Sequence, residues 1–223
     1  MMMLTWGHTH AQNNPFVDEK LFHWGFFLGF DMLSYNIEEA PMENANGYVA
    51  RVMGVGPGFQ VGFITDLRLH RYLNLRFTPA LHFGDRKVTY INPLAGDTLT
   101  PNILTIPLSL PVYLKWSAPR IANFRPYVLV GGGVEFECYR DKEKEILHKP
   151  FDAFVSAGFG CDLYFRWFKL SPEIKYQIGF LDAHVPISEA EKHNWEIGAN
   201  NYFYTNAINR MTHQKLSIVF NFE

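Results

Sequence analysis

The sequence predicts an all-β fold, an eight-stranded antiparallel up-and-down transmembrane β-barrel. Three observations predict it. Eight segments alternate apolar and polar residues with the period of two that a strand imposes on its side chains. The connections between these segments alternate between short and long. The apolar face of the strands is bulky and the polar face is small. Mean hydropathy is only -0.10, and no run of about 18 apolar residues offers a membrane helix. A barrel reconciles these facts, because it places its hydrophobicity at every second residue.

The first segment sets Phe22, Trp24, Phe26, Leu28, Phe30 and Met32 against His23, Gly25, Gly29 and Asp31. The second sets Phe59, Val61, Phe63, Thr65 and Leu67 against Gly58, Gln60, Gly62, Ile64, Asp66 and Arg68. In the third, Leu73, Leu75, Phe77, Pro79, Leu81 and Phe83 oppose Tyr72, Asn74, Arg76, Thr78, Ala80, His82 and Gly84. In the fourth, the even positions from Leu104 to Trp116 are apolar, against Thr105, Pro107, Ser109, Pro111, Tyr113 and Lys115. The fifth opposes Val128, Val130, Val134 and Phe136 to Tyr127, Leu129, Gly131, Gly133, Glu135 and Glu137. The sixth opposes Val155, Ala157, Phe159, Cys161, Leu163 and Phe165 to Ser156, Gly158, Gly160, Asp162 and Tyr164. The seventh runs from Phe168 to Phe180, with Lys169, Ser171, Glu173, Lys175, Gln177 and Gly179 on its polar face. The eighth sets Leu216, Ile218, Phe220 and Phe222 against Lys215, Ser217, Asn221 and Glu223. Each segment is long enough to cross a bilayer at a tilt.

Short connections lie around 70–71, 117–123 and 166–167, and long ones around 34–53, 85–103, 138–151 and 181–213. Short periplasmic turns and long extracellular loops give this rhythm. A soluble barrel would bury the apolar face, but an eight-stranded interior is only just wide enough for side chains. The glycines, alanine and serine of the polar face fit that interior, and the bulky face fits lipid. Aromatic residues near strand ends, among them Trp24, Phe83, Trp116, Phe124, Trp167 and Phe180, read as interfacial girdles.

Composition excludes other classes. Lys plus Arg is 20 and Asp plus Glu is 22, a formal net charge of -2, which does not suit a nucleic-acid binder. Apolar residues at 48% and charged residues at 19% argue against disorder. Two cysteines make neither a disulfide framework nor a CxxC zinc site, and free thiols are expected at Cys138 and Cys161. Residues 1–11, with Thr9 and Ala11 placed as in a cleavage site, read as a signal-peptide remnant, and 12–223 as the barrel domain. His8 and His10 fall in that remnant and are not read as a metal pair.

The candidate chemistry lies on the polar face. Asp31, Asp66, Glu135, Glu137, Asp162 and Glu173 are balanced by Arg68, Arg76, Lys115, Lys169, Lys175 and Lys215. Buried charges need partners, so this balanced set predicts a lumen ion-pair network. Glu135 with Glu137 is not read as a catalytic carboxylate pair. His82, with Ser109 on the next strand, is read as a satisfied lumen histidine rather than part of a nucleophile. Gly131-Gly132-Gly133 lies inside a strand without the following helix and Lys of a phosphate loop. No enzyme activity, metal or cofactor is expected. The long connection at 181–213 carries Trp195, Tyr202, Phe203, Tyr204 and Arg210, the residue types of protein interfaces, and is the candidate partner-binding loop.

Several stretches together resemble the PorT family of Bacteroidota outer-membrane barrels. They are Trp24-Gly25-Phe26-Phe27-Leu28-Gly29-Phe30, Gly58-Phe59-Gln60-Val61-Gly62 with Asp66-Leu67-Arg68-Leu69, and Tyr72-Leu73-Asn74-Leu75-Arg76-Phe77-Thr78-Pro79. Ile106-Pro107-Leu108, Arg125-Pro126-Tyr127, Leu170-Ser171-Pro172-Glu173-Ile174-Lys175 and Tyr204-Thr205-Asn206-Ala207-Ile208-Asn209-Arg210 continue the order. The resemblance implies a monomeric outer-membrane barrel needed for protein export by the type IX secretion system, working through protein partners of that machinery. The alternative is a generic structural or small-solute barrel of the OmpX or OmpW type. Neither reading involves nucleic acid.

Overall fold

A computed structural model describes residues 20–39, 49–51, 55–87, 89–92, 97–99, 102–138, 149, 151–182 and 208–223. The signal-peptide reading of 1–11 lies outside the described residues.

The strands are β1 (Phe22–Glu39), β2 (Val49–Arg51), β3 (Gly56–Arg68), β4 (Leu73–Phe77), β5 (Ala80–Lys87), β6 (Thr89–Asn92) and β7 (Asp97–Leu99). They continue with β8 (Asn102–Thr105), β9 (Pro107–Ser117), β10 (Phe124–Glu137), β11 (Phe151–Tyr164), β12 (Lys169–Gly179) and β13 (Ile208–Phe222). Every pairing is antiparallel, and β1 pairs with both β3 and β13, so the sheet closes on itself. The ring has eight walls because two walls are interrupted. β4 and β5 keep one register against β3, from Thr65↔Phe77 to Gly58↔Gly84, across a break at Thr78-Pro79. Pro79 has no N–H for the ladder, which causes the break, and the Phe63 N–H still donates to the Pro79 carbonyl at 3.1 Å. β8 and β9 likewise form one wall, broken at Ile106, whose N–H donates to the Glu137 carboxylate at 2.7 Å. The barrel is therefore an eight-stranded antiparallel up-and-down ring.

Alternation faces the walls as the volume argument requires. Trp24 is 76% exposed on the outer surface and Phe63 is 69% exposed, while Asp66 and Arg76 are buried inside. A soluble surface does not carry an apolar belt of this size, so the belt lies in lipid. The three short connections are tight turns around Arg71-Tyr72, Ala122-Asn123 and Arg166-Trp167, each closed by backbone bonds between its flanking residues. Trp116 and Trp167 stand exposed at this end.

Three features depart from the sequence expectation. β1 runs on to Glu39 and pairs with β13 down to Ile208, so the wall rises past the expected loop bounds at 34 and 213. The outward residues there, Asn36, Glu38 and Arg210, are polar, because above the bilayer nothing selects apolar side chains. A second, three-stranded sheet, β2-β6-β7, occupies parts of the two connections at 34–53 and 85–103. Inside the barrel, Phe27, Leu33 and Val219 are buried beside Ile64 and Leu129, which the sequence already sets on the polar face, so the lumen is more apolar than expected.

Candidate functional site

Cross-strand pairing sets the geometry of the lumen. In five pairings among the described residues an inward aromatic residue faces a glycine on the neighbouring strand: Phe27↔Gly62, Tyr113↔Gly131, Tyr127↔Gly160, and Phe154 with both Gly133 and Gly179. A Cβ on Gly160 would sit 2.7 Å from the Tyr127 hydroxyl, and one on Gly131 would sit 2.7 Å from the Tyr113 ring. The glycines thus make room for rings that fill a narrow bore.

The charges of the lumen form two layers. Nearer the short turns, Arg76 on β4 binds its cross-strand neighbour Asp66 in fork geometry, Nε to Oδ1 at 2.8 Å and Nη2 to Oδ2 at 2.7 Å. Its Nη1 donates to Glu173 on β12, and its Nη2 lies 3.3 Å from Glu223. Lys115 on β9 donates to both oxygens of Asp162 on β11, at 3.0 and 2.8 Å, and lies over the Tyr127 ring at 3.9 Å. Ser171 donates to Asp162 at 2.6 Å, and the Tyr127 hydroxyl donates to Glu173 at 2.7 Å. Lys169 pairs with Glu223 at 2.6 Å and Lys175 with Glu173 at 3.5 Å. Asp66, Asp162, Glu173 and Glu223 are thus matched by Arg76, Lys115, Lys169 and Lys175.

The second layer is built on Asp31 and Glu135. Asp31 accepts from Gln60 and Ser217, each at 2.6 Å, and its Oδ2 lies 2.7 Å from His82 Nδ1. His82 Nε2 lies 2.8 Å from the Ser109 hydroxyl. Lys215 donates to Glu135 at 3.0 Å and stands 3.3 Å from His82 Nε2, while Gln177 donates to Glu135 at 2.9 Å. Asp31, His82 and Ser109 have the connectivity of an acyl-transfer triad. The cavity beside them measures about 10 Å³, however, enough for a single water. Thr78 and Ser156 line that cavity with hydroxyls that have no protein partner among the described residues. The gap has about the volume of one water molecule, and His82 is held between Asp31 and Ser109.

Of the residues the sequence singles out, Asp31, Asp66, Arg76, Lys115, Glu135, Asp162, Lys169, Glu173 and Lys175 are brought together in these layers. Glu137 sits at the rim on the Ile106 N–H. Arg68 is not brought in: half-buried at the end of β3 beside a turn, it makes no ion pair among the described residues. Arg210 belongs to β13 rather than to a loop, with its Nη2 donating to the Phe180 carbonyl at 3.0 Å. Trp195, Tyr202, Phe203 and Tyr204 lie outside the described residues. Cys138 and Cys161 are free.

Sequence reasoning missed Asp152 and His213, which pair at 3.0 Å. Both fall at the edges of the predicted loops. Their signal was parity: Asp152 continues the inward series of Ser156, and His213 that of Lys215.

A profile of the family described as "Outer membrane protein beta-barrel domain" matches residues 10–185. No curated protein matches the chain. Among solved structures, Neisserial surface protein A (NspA) is 10% identical, with 89% of this chain and 97% of that one covered at a TM-score of 0.41. The outer membrane protein OprG from Pseudomonas aeruginosa is 10% identical, with 89% and 93% covered at a TM-score of 0.44.

Proposed function

The chain belongs to the outer membrane protein β-barrel domain family, and from that premise we propose that it is a PorT-type component of the type IX secretion system, a non-enzymatic barrel that works through protein contacts. The lumen carries this reading. Two layers of paired charge around a gap of about 10 Å³ favour a closed bore, which supports a working surface outside it. The order of stretches such as Tyr72–Pro79 and Leu170–Lys175, similar to the PorT family, supports the secretion role. The long connection after β12, with Trp195, Tyr202, Phe203 and Tyr204, supplies the aromatic residues for a protein interface.

The experiment shortens that connection and follows export of type IX cargo. The expected outcome is a folded, heat-modifiable barrel that no longer supports export. Normal secretion by the folded deletion eliminates the loop as the working surface. Normal secretion by a full knockout, in an organism that has the system, eliminates the secretion role and leaves the generic OmpX- or OmpW-type barrel.

A further inference from the structure

We propose that the outer wall beside Trp116 is a binding site for one anionic glycerophospholipid of the periplasmic leaflet, with an acyl chain in a cleft along β9–β11 and the phosphate on His70 and Arg71. The first observation is charge. The three turn segments 68–73, 117–126 and 164–169 contain Arg68, Arg71, Arg120, Arg125, Arg166 and Lys169 and no Asp or Glu. Several of these cations are committed: Arg125 donates to the carbonyls of Ala118 and Arg71, and Lys169 pairs with Glu223. Arg71 makes no ion pair among the described residues; its guanidinium lies 5.5 Å from the Tyr72 ring. The His70 ring lies 6.3 Å from the same ring. A phosphate is the ligand that a guanidinium with a neighbouring imidazole donor recognises, and basic clusters at a membrane surface select anionic lipid.

The second observation is shape. Two adjoining clefts of about 660 and 590 Å³ lie on the outer wall and share Tyr72, Trp116 and Val128. They form because Val128, Val130 and Ala157 are small beside Trp116 and Phe159. The clefts open into the apolar belt, so a chain enters sideways from the bilayer. The third observation joins head site to tail site. His70 and Leu73 bond each other's backbone in both directions, at 2.9 and 3.2 Å, and fix Arg71-Tyr72 as a tight turn. Tyr72 lines both clefts, and the Arg71 guanidinium lies over its ring. The site rests on the outer-membrane location and the periplasmic placing of the short turns; it is independent of secretion.

The test is native mass spectrometry of the purified full chain, offered phosphatidylglycerol or phosphatidylcholine with identical acyl chains. The wild type should retain one phosphatidylglycerol with about ten-fold preference. The double variant Arg71→Ala with His70→Ala should retain the two lipids equally. Ala157→Trp should fill the cleft and lose retention of phosphatidylglycerol while the barrel stays heat-modifiable on gels. Equal retention of both lipids by the wild type overturns the proposal. So does a preference that survives the double variant, or retention that survives Ala157→Trp.

Discussion

Arg76 shows how much of this barrel depends on single side chains. It is fully buried and serves Asp66, Glu173 and Glu223 at once. Removing it strands carboxylates in a low-dielectric lumen, so Arg76→Met should destabilise the barrel by about 3–5 kcal/mol in urea unfolding. Adding Glu173→Gln should recover part of that loss. An unchanged unfolding midpoint for Arg76→Met would show that the carboxylates do not depend on it. Ala122 is the opposite case, a residue held in an unfavourable place. Its φ of 53° is left-handed and its residue type is not glycine. Ala122→Gly should stabilise the barrel by about 0.5–1 kcal/mol, the relief of the turn less the added freedom of the unfolded chain. A lower unfolding midpoint would refute the strain argument. Arg76, Asp66 and Glu173 were legible because charge on a lumen face can mean little else, whereas Glu223, at the end of the last strand, was not placed in the network. Which carboxylate meets which base was not legible. It depends on stagger around the ring, which brings Arg76 of β4 to Glu173 of β12 across the bore, not along the sheet.

At the scale of the strand, the pleat decides everything, and neighbouring residues have opposite fates. Phe63 is 69% exposed and Ile64 is 1% exposed. A lipid-soluble thiol label should therefore mark Phe63→Cys and spare Ile64→Cys, although both natural side chains are apolar. Labelling of Ile64→Cys would mean that β3 faces the other way. Charge on the outer face is costly, so Val130→Arg should cost about 2–4 kcal/mol if it lies near the midplane. All eight walls could be read from the sequence because lipid forces bulky apolar residues onto every second position. The signal ends where the lipid ends. β1 beyond Leu33 and β13 before Lys215 carry Asn36, Glu38 and Arg210 on the outside, and a mixed face reads as loop. The breaks at Pro79 and Ile106 had different visibility. Pro79 announces its missing donor, whereas Ile106 has an ordinary N–H that a side chain on another strand takes away.

At the scale of the whole molecule, ring closure and the filled bore lead to the same expectation. The first and last walls, β1 and β13, pair from Phe26↔Phe222 up to Glu39↔Ile208, so the ring of the barrel closes without an open seam between its ends. Eight walls enclose a space that side chains can fill, and here they fill it by three devices: rings laid over glycines, apolar residues such as Ile64 and Val219, and two layers of paired charge. The layers are redundant as barriers. Opening the one around Arg76 leaves Asp31, His82, Lys215 and Glu135 across the bore. The purified barrel in a planar bilayer should therefore show no large, stable, porin-sized conductance, and neither should Arg76→Met. Stable large currents from the wild type would contradict the plugged lumen. They would also remove the reason for placing function on the outer surfaces, because a bore that passes solutes can itself be the working part. Silence from both proteins leaves the loops, rims and lipid-facing wall as the surfaces on which a small barrel of this kind can act.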